Sequence, residues 1–452
     1  MALIRTISGV RGKVGLDLDH QVVYAHARAF AALQPPGTIL LARDSRPHGV
    51  ELLSVAAEAL RSVRRQLMFA DLVPTPTAQF LVPRKRLAGA IVLTASHNPV
   101  EYNGLKFIGS DGCFLGSEQT AILFARADQV EVPAEIPVGR ITGRDLPDAA
   151  GLHIIDILDL SCIDVEAILR RRFRVVVDTV NGAAFFALPA VLEALGCKVF
   201  RIHTTPDGTF PRGAEPLPEN LSDLCGAVIR HGADLGMATD PDGDRLALVD
   251  EDGNPLGEEF TLALAVDGFL RRTGSRKPVT TNLSSSMLLD HVARRYGIEV
   301  QRSAVGEVNV VNMMRSAGGE IGGEGNGGVI LAESHLGRDS LVGAALVLER
   351  LAQEARSLSA VKAQMPSFHI VKDKISVEGY DPQEMIEGLG QRYPDAEVNT
   401  VDGLKLQWED RWVHVRPSNT EPIIRIIAEG PTADIARELV AGVRSTMGKA
   451  DD

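Results

Sequence analysis

The order of strand and helix signals along this chain predicts an α/β protein, with three successive α/β units followed by a smaller α+β one. Three observations carry that reading. The 452 residues suggest about three domains at roughly 150 residues each. Apolar residues make up 45% of the chain, enough for packed cores and ordinary for a globular protein. Short apolar runs alternate with stretches of helical spacing as far as Met365, after which strands alternate apolar and polar residues instead.

The elements follow in order. Residues 38–42 read as a strand, and residues 50–63 as a helix with Leu52, Leu53, Ala56 and Leu60 at helical spacing. Residues 66–70 and 90–93 read as further strands, with Pro74 and Pro76 punctuating the connection between them. A second unit begins near Arg174, with strands at 175–177 and 198–202 and helices at 183–195 and 221–230; residues 234–238 then lead into an aspartate-rich loop. A third runs from about Pro255 to Met365, with helices at 259–270 and 284–296 and a strand at 278–281. Residues 374–377, 404–408 and 412–415 read as antiparallel strands, closed by a helix over 433–447. The expected domains are 1–148, 149–252, 253–366 and 367–452, without a visible residue-level repeat.

Charge and cysteine content exclude several classes. With 47 basic and 59 acidic residues the net charge is −12, which disfavours nucleic acid or an anionic membrane as partner. An anionic substrate must then be held by local positive features. Arg170-Arg171-Arg172 reads as a solvated helix end rather than such a feature. Cys113, Cys162, Cys197 and Cys225 form no CxxC pair, so reduced thiols are expected. The N-terminus lacks an apolar h-region and no run approaches the roughly 18 apolar residues of a membrane span, so the expectation is a soluble cytoplasmic protein.

Three loops carry chemistry. Thr94-Ala95-Ser96-His97-Asn98-Pro99 presents a serine just past a strand end, on a loop that Pro99 prevents from continuing as sheet. Ser96 reads as a helix N-cap, an acyl-transfer nucleophile or the carrier of a transferable phosphate; no G-x-S-x-G elbow surrounds it, which disfavours the second. His97 reads as a hydrogen-bonded spacer or as lining for an anion site. In Asp240-Pro241-Asp242-Gly243-Asp244-Arg245, three carboxylates alternate; on an extended loop they would share one side and repel unless a cation lies between them. Carboxylate oxygens favour Mg²⁺ or Ca²⁺. An EF-hand would use Asp240, Asp242, Asp244 and Glu251, but Arg245 replaces the required glycine and Leu246 to Val249 reads as a strand. Arg416-Pro417-Ser418-Asn419-Thr420-Glu421-Pro422 supplies a guanidinium, hydroxyls, an amide and backbone N–H groups suited to a phosphate dianion, with Arg425 as a second cation. The glycine-dense Gly323-Glu324-Gly325-Asn326-Gly327-Gly328 permits close backbone approach, with Glu324 and Asn326 its only hydrogen-bonding side chains.

Together with Ser8-Gly9-Val10-Arg11-Gly12 and Tyr102-Asn103-Gly104-Leu105-Lys106-Phe107, these loops resemble, in order, those of the α-D-phosphohexomutase superfamily over essentially the whole chain. The resemblance implies three similar α/β domains with mixed sheets and a C-terminal α+β domain around a central cleft. It implies an isomerase that interconverts hexose 6-phosphate and hexose 1-phosphate through a phosphoserine enzyme and a bisphosphate. Ser96 is then the phosphoserine, with His97 lining its site and Arg245 contacting it. Asp240, Asp242 and Asp244, with the Ser96 phosphate, bind one Mg²⁺ per chain. Lys106 and Arg11 assist deprotonation of the attacking hydroxyl, while Arg43-Asp44-Ser45-Arg46 supports the serine loop. Glu324 and Asn326 hold the sugar O3 and O4; Arg416, Ser418, Asn419, Thr420 and Arg425 grip the phosphate that is not reacting. A hexose 1,6-bisphosphate is the expected activator, and the expected partner is a small sugar phosphate taken up by a monomer or homodimer.

One departure stands out. Several relatives have serine where Asn326 sits and a histidine or aromatic residue where Gly328 sits, so an acid/base role of that histidine is not carried over. The glycine loop and Val305-Gly306-Glu307-Val308-Asn309-Val310 look most like the archaeal-type phosphoglucosamine mutases. Glu307 is expected to favour a substrate ammonium group, which places glucosamine 6-phosphate ahead of mannose or glucose phosphates. The rival readings are a haloacid-dehalogenase-type phosphatase using Asp240, and a sugar-phosphate sensor without turnover.

Overall fold

Runs of buried Val, Ile, Leu and Ala become the central strands of each sheet, and the loops of interest leave from their ends. The computed structural model describes residues 3–139, 141, 143–377, 381, 385–386, 389–418 and 423–447. The chain forms two compact units, Met1–Ser275 with Gly327–Lys362, and Arg276–Asn326 with Ala363–Asp452.

In the first unit the N-terminal sheet contains β1 (Ile4–Thr6), β2 (Gly9–Lys13), β3 (Thr38–Arg43), β4 (Gln66–Leu72), β5 (Gly89–Leu93), β6 (Tyr102–Ile108) and β7 (Arg144–Asp145), in the order β1-β2-β6-β5-β3-β4-β7. β3 runs parallel to β4 and β5, whereas β6 is antiparallel to both β5 and β2, so the sheet is mixed. All of β5 is buried, which explains its unbroken apolar run. The helix Thr75–Arg84 was not expected. Pro74 and Pro76, read as loop punctuation, instead sit at its N-cap and first turn, where a missing N–H costs nothing.

The second sheet holds β8 (Arg174–Asp178), β9 (Lys198–Ile202), β10 (Leu235–Thr239) and β11 (Leu246–Asp250), ordered β11-β10-β8-β9. β8 is parallel to β9 and β10, and β11 closes the edge antiparallel. The helix expected over 183–195 is broken into a 3₁₀ turn, Ala183–Phe185, and a helix, Ala187–Ala194. The cause is local: the Ala183 N–H donates to the Pro241 carbonyl at 2.7 Å, so the first turn is tied to the aspartate loop.

The third segment is divided. The helix Glu258–Thr273 stays in the first unit. β12 (Val279–Asn282), β13 (Val300–Ser303) and β14 (Ile321–Glu324) belong to the second, with β12 parallel to both others. β15 (Gly328–Leu331) and the helix Ser340–Ala352 return to the first unit and pack with Glu258–Thr273. The helix expected over 284–296 shortens to Leu288–Arg294. The Ser285 hydroxyl binds Asn282, and Arg302 takes the carbonyls of Asn282, Ser285 and Ser286, holding the preceding residues in a turn.

The C-terminal sheet is wholly antiparallel. It contains β16 (His369–Ser376), β17 (Glu397–Asn399), β18 (Leu404–Gln407), β19 (Trp412–Pro417) and β20 (Ile423–Gly430), in the order β16-β20-β19-β18-β17. Ile375, Leu406, Val413, Val415, Ile424 and Ile426 share a core with Val440 and Val443 of the helix Ala433–Met447. Each such side chain contributes about 1.5–3 kcal/mol on burial. Among the described residues no helix is long and apolar enough to cross a membrane.

Candidate active site

The serine loop is held by one fully buried ion pair. Arg46 Nε donates to Asp44 Oδ2 at 3.0 Å, and neither side chain is exposed. Arg46 Nη2 then donates to the carbonyls of Ser96 and Asn98 at 2.7 and 2.6 Å, and Nη1 to those of Pro99 and Tyr102 at 2.5 and 2.9 Å. Thr94 Oγ1 donates to Asp44 Oδ2 at 2.6 Å and accepts the Ser96 N–H at 2.9 Å. Burial pushes the Asp44 carboxyl upward, and Arg46 opposes that rise. Within this frame Ser96 takes φ +49°, a left-handed conformation that persists only where its surroundings fix it. The expectation that residues 43–46 support this loop is met by these contacts.

Opposite the serine lies the aspartate loop. Its carboxylates converge through a turn, not through the extended alternation expected: the Gly243 N–H donates to the Asp240 carbonyl at 3.1 Å, with Pro241 between and Gly243 at φ +71°. Ser96 Oγ donates to Asp240 Oδ2 at 3.2 Å. Asp240 Oδ1 accepts the N–H groups of Asp244 and Arg245 at 3.1 and 3.2 Å. Asp242 Oδ2 accepts from Thr75 Oγ1 at 2.6 Å and Lys106 Nζ at 2.7 Å. Asp244 Oδ2 accepts from Arg338 at 2.7 Å and Lys106 at 3.2 Å. The Oδ1 atoms of Asp242 and Asp244 are buried without a hydrogen-bond partner, and each of the three carboxylates offers an oxygen within 4.8 Å of the others.

That donor set fits a hard divalent cation. Burial, then Asp244 and Asp242, push Asp240 well above the carboxylate range. Burial acts the same way on Asp244, but Arg338, Lys106 and Arg245 overcome it and hold Asp244 below that range. Burial would lower the Lys106 ammonium, yet Asp242 and Asp244 raise it, so Lys106 keeps its proton.

Arg245 Nη1 donates to Glu215 at 2.9 Å and Nη2 to His97 Nδ1 at 3.2 Å. Burial, followed by Arg245, drives the His97 imidazole down to about 2, so the ring is neutral. Its Nδ1 lies 3.5 Å from Ser96 Oγ but already accepts from Arg245, which removes it as a base toward the serine. Arg11 Nη1 donates to Asn98 Oδ1 at 2.9 Å, which joins β2 to the serine loop. Sequence reasoning missed Thr75, Glu215 and Arg338. Thr75 and Glu215 lie in stretches without a motif, and the one signal for Arg338 is the unusual Gly328.

In the second unit, Glu324 ends β14 and is 4% exposed; its Oε1 accepts from Asn282 Nδ2 at 2.8 Å and from the Gly306 N–H at 3.0 Å. Glu307 follows directly, buried as the first residue of the helix Glu307–Ala317. Asn326 is half-buried. Arg416 on β19 pairs directly across from Arg425 on β20, which pairs in turn with Lys374 on β16. Like charges aligned across strands repel, with Asp402 and Glu324 as opposing charges acting on Arg416; Lys374 was read only as part of a strand. The Ser418 N–H closes the hairpin onto the Ile423 carbonyl at 2.9 Å. Asn419 and Thr420 lie outside the described residues.

Comparison with known proteins meets this geometry. Residues 3–132, 153–253 and 258–368 match the phosphoglucomutase/phosphomannomutase alpha/beta/alpha domains I, II and III, and residues 375–445 match the C-terminal domain of the same family. The chain belongs to the phosphoglucomutase/phosphomannomutase family. This phosphohexomutase is therefore an isomerase with an α/β fold. It is 36% identical over 436 residues to a probable phosphoglucosamine mutase of Methanopyrus kandleri, covering 96% of this chain and 95% of the relative. It is 35% identical to a phosphoglucomutase/phosphomannomutase of Thermococcus kodakarensis, with 95% of each chain covered. A solved phosphoglucomutase/phosphomannomutase family protein from Burkholderia thailandensis shares 27% identity, with 98% of each chain covered and a TM-score of 0.84.

The Arg46 tie gives a direct expectation for this phosphohexomutase. Arg46→Met leaves Asp44 buried without its partner and strips four carbonyls of a donor. Thermal and denaturant unfolding should show a loss of about 3–5 kcal/mol, with turnover falling further than stability explains. An unfolding midpoint equal to that of the wild type would remove Arg46 from this role.

Proposed function

We propose that Ser96 carries the phosphoryl group that this phosphohexomutase transfers, and that its preferred substrate is glucosamine 6-phosphate, converted to glucosamine 1-phosphate. The observation that carries the first part is the Ser96 hydroxyl 3.2 Å from Asp240, inside a buried cluster with Asp242, Asp244, Lys106 and Arg245. Asp240, Asp242 and Asp244, with the Ser96 phosphate, would hold one Mg²⁺. When bound, that ion would neutralise charge on the transferring group.

The residues divide the remaining work. Arg245 and the neutral His97 face the phosphoserine. Transfer breaks the bond from phosphorus to Ser96 Oγ and forms one to the attacking sugar oxygen; the proton that this hydroxyl loses ends on the departing Ser96 Oγ, and the bisphosphate then returns its other phosphoryl group to Ser96 by the reverse exchange. Lys106 and Arg11 both keep their charge, so they assist deprotonation by stabilising the developing oxyanion. Glu324, held by Asn282 and Gly306, and Asn326 take the sugar hydroxyls. Arg416, Arg425 and Ser418, with Asn419 and Thr420, take the distal phosphate, and the aligned row of cations supports that assignment. A hexose 1,6-bisphosphate serves as activator. The enzyme works as a monomer or homodimer in the cytoplasm, a compartment in keeping with four free cysteines. The Ser96 hydroxyl, aimed at Asp240 Oδ2, favours the serine over Asp240 as the group that carries phosphate.

Three outcomes test this. Peptide mass spectrometry should find phosphate on Ser96 in a fraction of the purified protein, and Ser96→Ala should lose essentially all mutase turnover while unfolding normally. EDTA should silence the enzyme and Mg²⁺ restore it; phosphate on Asp240 instead, with Ser96→Ala active, would favour the phosphatase.

The sugar assignment has its own test. The relatives' names divide between glucosamine and glucose or mannose, and the proposal assigns the choice to Glu307. A carboxylate facing the substrate ammonium in a shielded site adds about a kcal/mol or more. Glu307→Gln should therefore lower kcat/KM for glucosamine 6-phosphate by roughly fivefold or more and leave glucose 6-phosphate little changed. Equal kcat/KM for both sugars in the wild type would reject the preference.

A further inference from the structure

Gly328 stands where no side chain fits. A Cβ at this position would lie 2.3 Å from Cδ and 2.8 Å from Cγ of Arg338, so the arginine stem fills the volume that any other residue would claim. From there the Arg338 guanidinium donates to Asp244 Oδ2 at 2.7 Å, beside the Lys106 ammonium on the same oxygen at 3.2 Å. Its backbone is anchored as well. Asp339 caps the helix Ser340–Ala352, and Ser340 Oγ donates to the Gly243 carbonyl at 2.7 Å, which fastens the segment to the aspartate loop.

We propose that Arg338 is a positioning residue for phosphoryl transfer, and that position 328 is glycine in order to admit it. The inference rests on the reading of Ser96 and the aspartates given above. Two donors on Oδ2 leave Oδ1 of Asp244 as the oxygen presented to a cation; that oxygen is buried without a hydrogen bond, with Arg245 Nε 3.8 Å away. The guanidinium also completes a charge match: with all three carboxylates ionised, as a bound cation would require, Asp240, Asp242 and Asp244 are matched by Lys106, Arg245 and Arg338. A divalent cation then enters a neutral cluster instead of an anionic one, and is held in place without being held too tightly. Charge and geometry act in opposite directions when Arg338 is removed, and the loss of a full charge a few ångströms away outweighs some freedom of one carboxylate.

The test uses the full chain. Mn²⁺ affinity, read by electron paramagnetic resonance in the Ser96→Ala background so that phosphorylation does not vary, should tighten about tenfold in Arg338→Met. With Ser96 present, Arg338→Met should lower kcat by roughly tenfold or more while KM for the sugar phosphate changes less than about twofold. Arg338→Lys, which restores the charge, should return Mn²⁺ affinity to within about threefold of its parent. Gly328→Ala displaces the stem and should reproduce the tightening, and the double variant Gly328→Ala/Arg338→Met should match Arg338→Met alone. Unchanged Mn²⁺ affinity in Arg338→Met would overturn the inference and leave Arg338 a structural brace, as would effects of the two changes that multiply. A parent protein that binds no Mn²⁺ would overturn the aspartate assignment itself.

Discussion

Three carboxylates buried within reach of one another are the constraint around which the first unit is organised. Asp240, Asp242 and Asp244 are at most 1% exposed, and such a cluster is tolerable only if cations are brought to it. They come from separate places. Lys106 arrives on β6, Arg245 from the loop itself and Arg338 from the segment before the helix Ser340–Ala352. Thr75, at the start of another helix, adds a hydroxyl. One electrostatic problem thus ties the N-terminal sheet, the second sheet and the returning third segment to a single loop. The Asp44–Arg46 pair solves a smaller version of it, and there the surplus donors are turned on the backbone that carries Ser96.

The second unit shows the complementary case. Lys374, Arg425 and Arg416 lie side by side across three strands, a like-charge row that a folded sheet does not assemble for stability. It is the arrangement from which phosphate binding by this sheet is proposed above. Carboxylates crowded in one unit and cations crowded in the other are both costs accepted at functional surfaces.

Much of this was legible in the sequence. Strands with strong apolar runs were found where expected, because a fully buried strand has nothing to hide its signal. The C-terminal helix, with a clean 3.6-residue pattern, was located at both ends. Misreadings fell where side chains compete with the backbone or where proline plays a second role. Pro74 and Pro76 begin a helix instead of interrupting the chain, and the serines at 284–286 hold a turn where spacing suggested helix. The aspartate loop was read correctly as a cluster for a wrong geometric reason: Pro241 and Gly243 make a turn that brings the carboxylates together. Lys106 and Arg245 were found through their motifs, whereas Arg338 had no motif of its own and only the unusual Gly328 hinted at it. Its role depends on an empty position 10 residues earlier in the chain, and an absent side chain has no pattern to recognise.

The return of the chain to the first unit after residue 326 has a consequence for biosynthesis. Asp244 and Arg338 are 94 residues apart. At translation speeds of about 5–20 residues per second, the acidic turn leaves the ribosome roughly 5–20 seconds before its last cation exists. During that interval Lys106 and Arg245 face three carboxylates alone, and the helix that will fasten the Gly243 carbonyl has not been made. The contacts from Arg338 and Ser340 to this loop can therefore form only after the second crossing has been made.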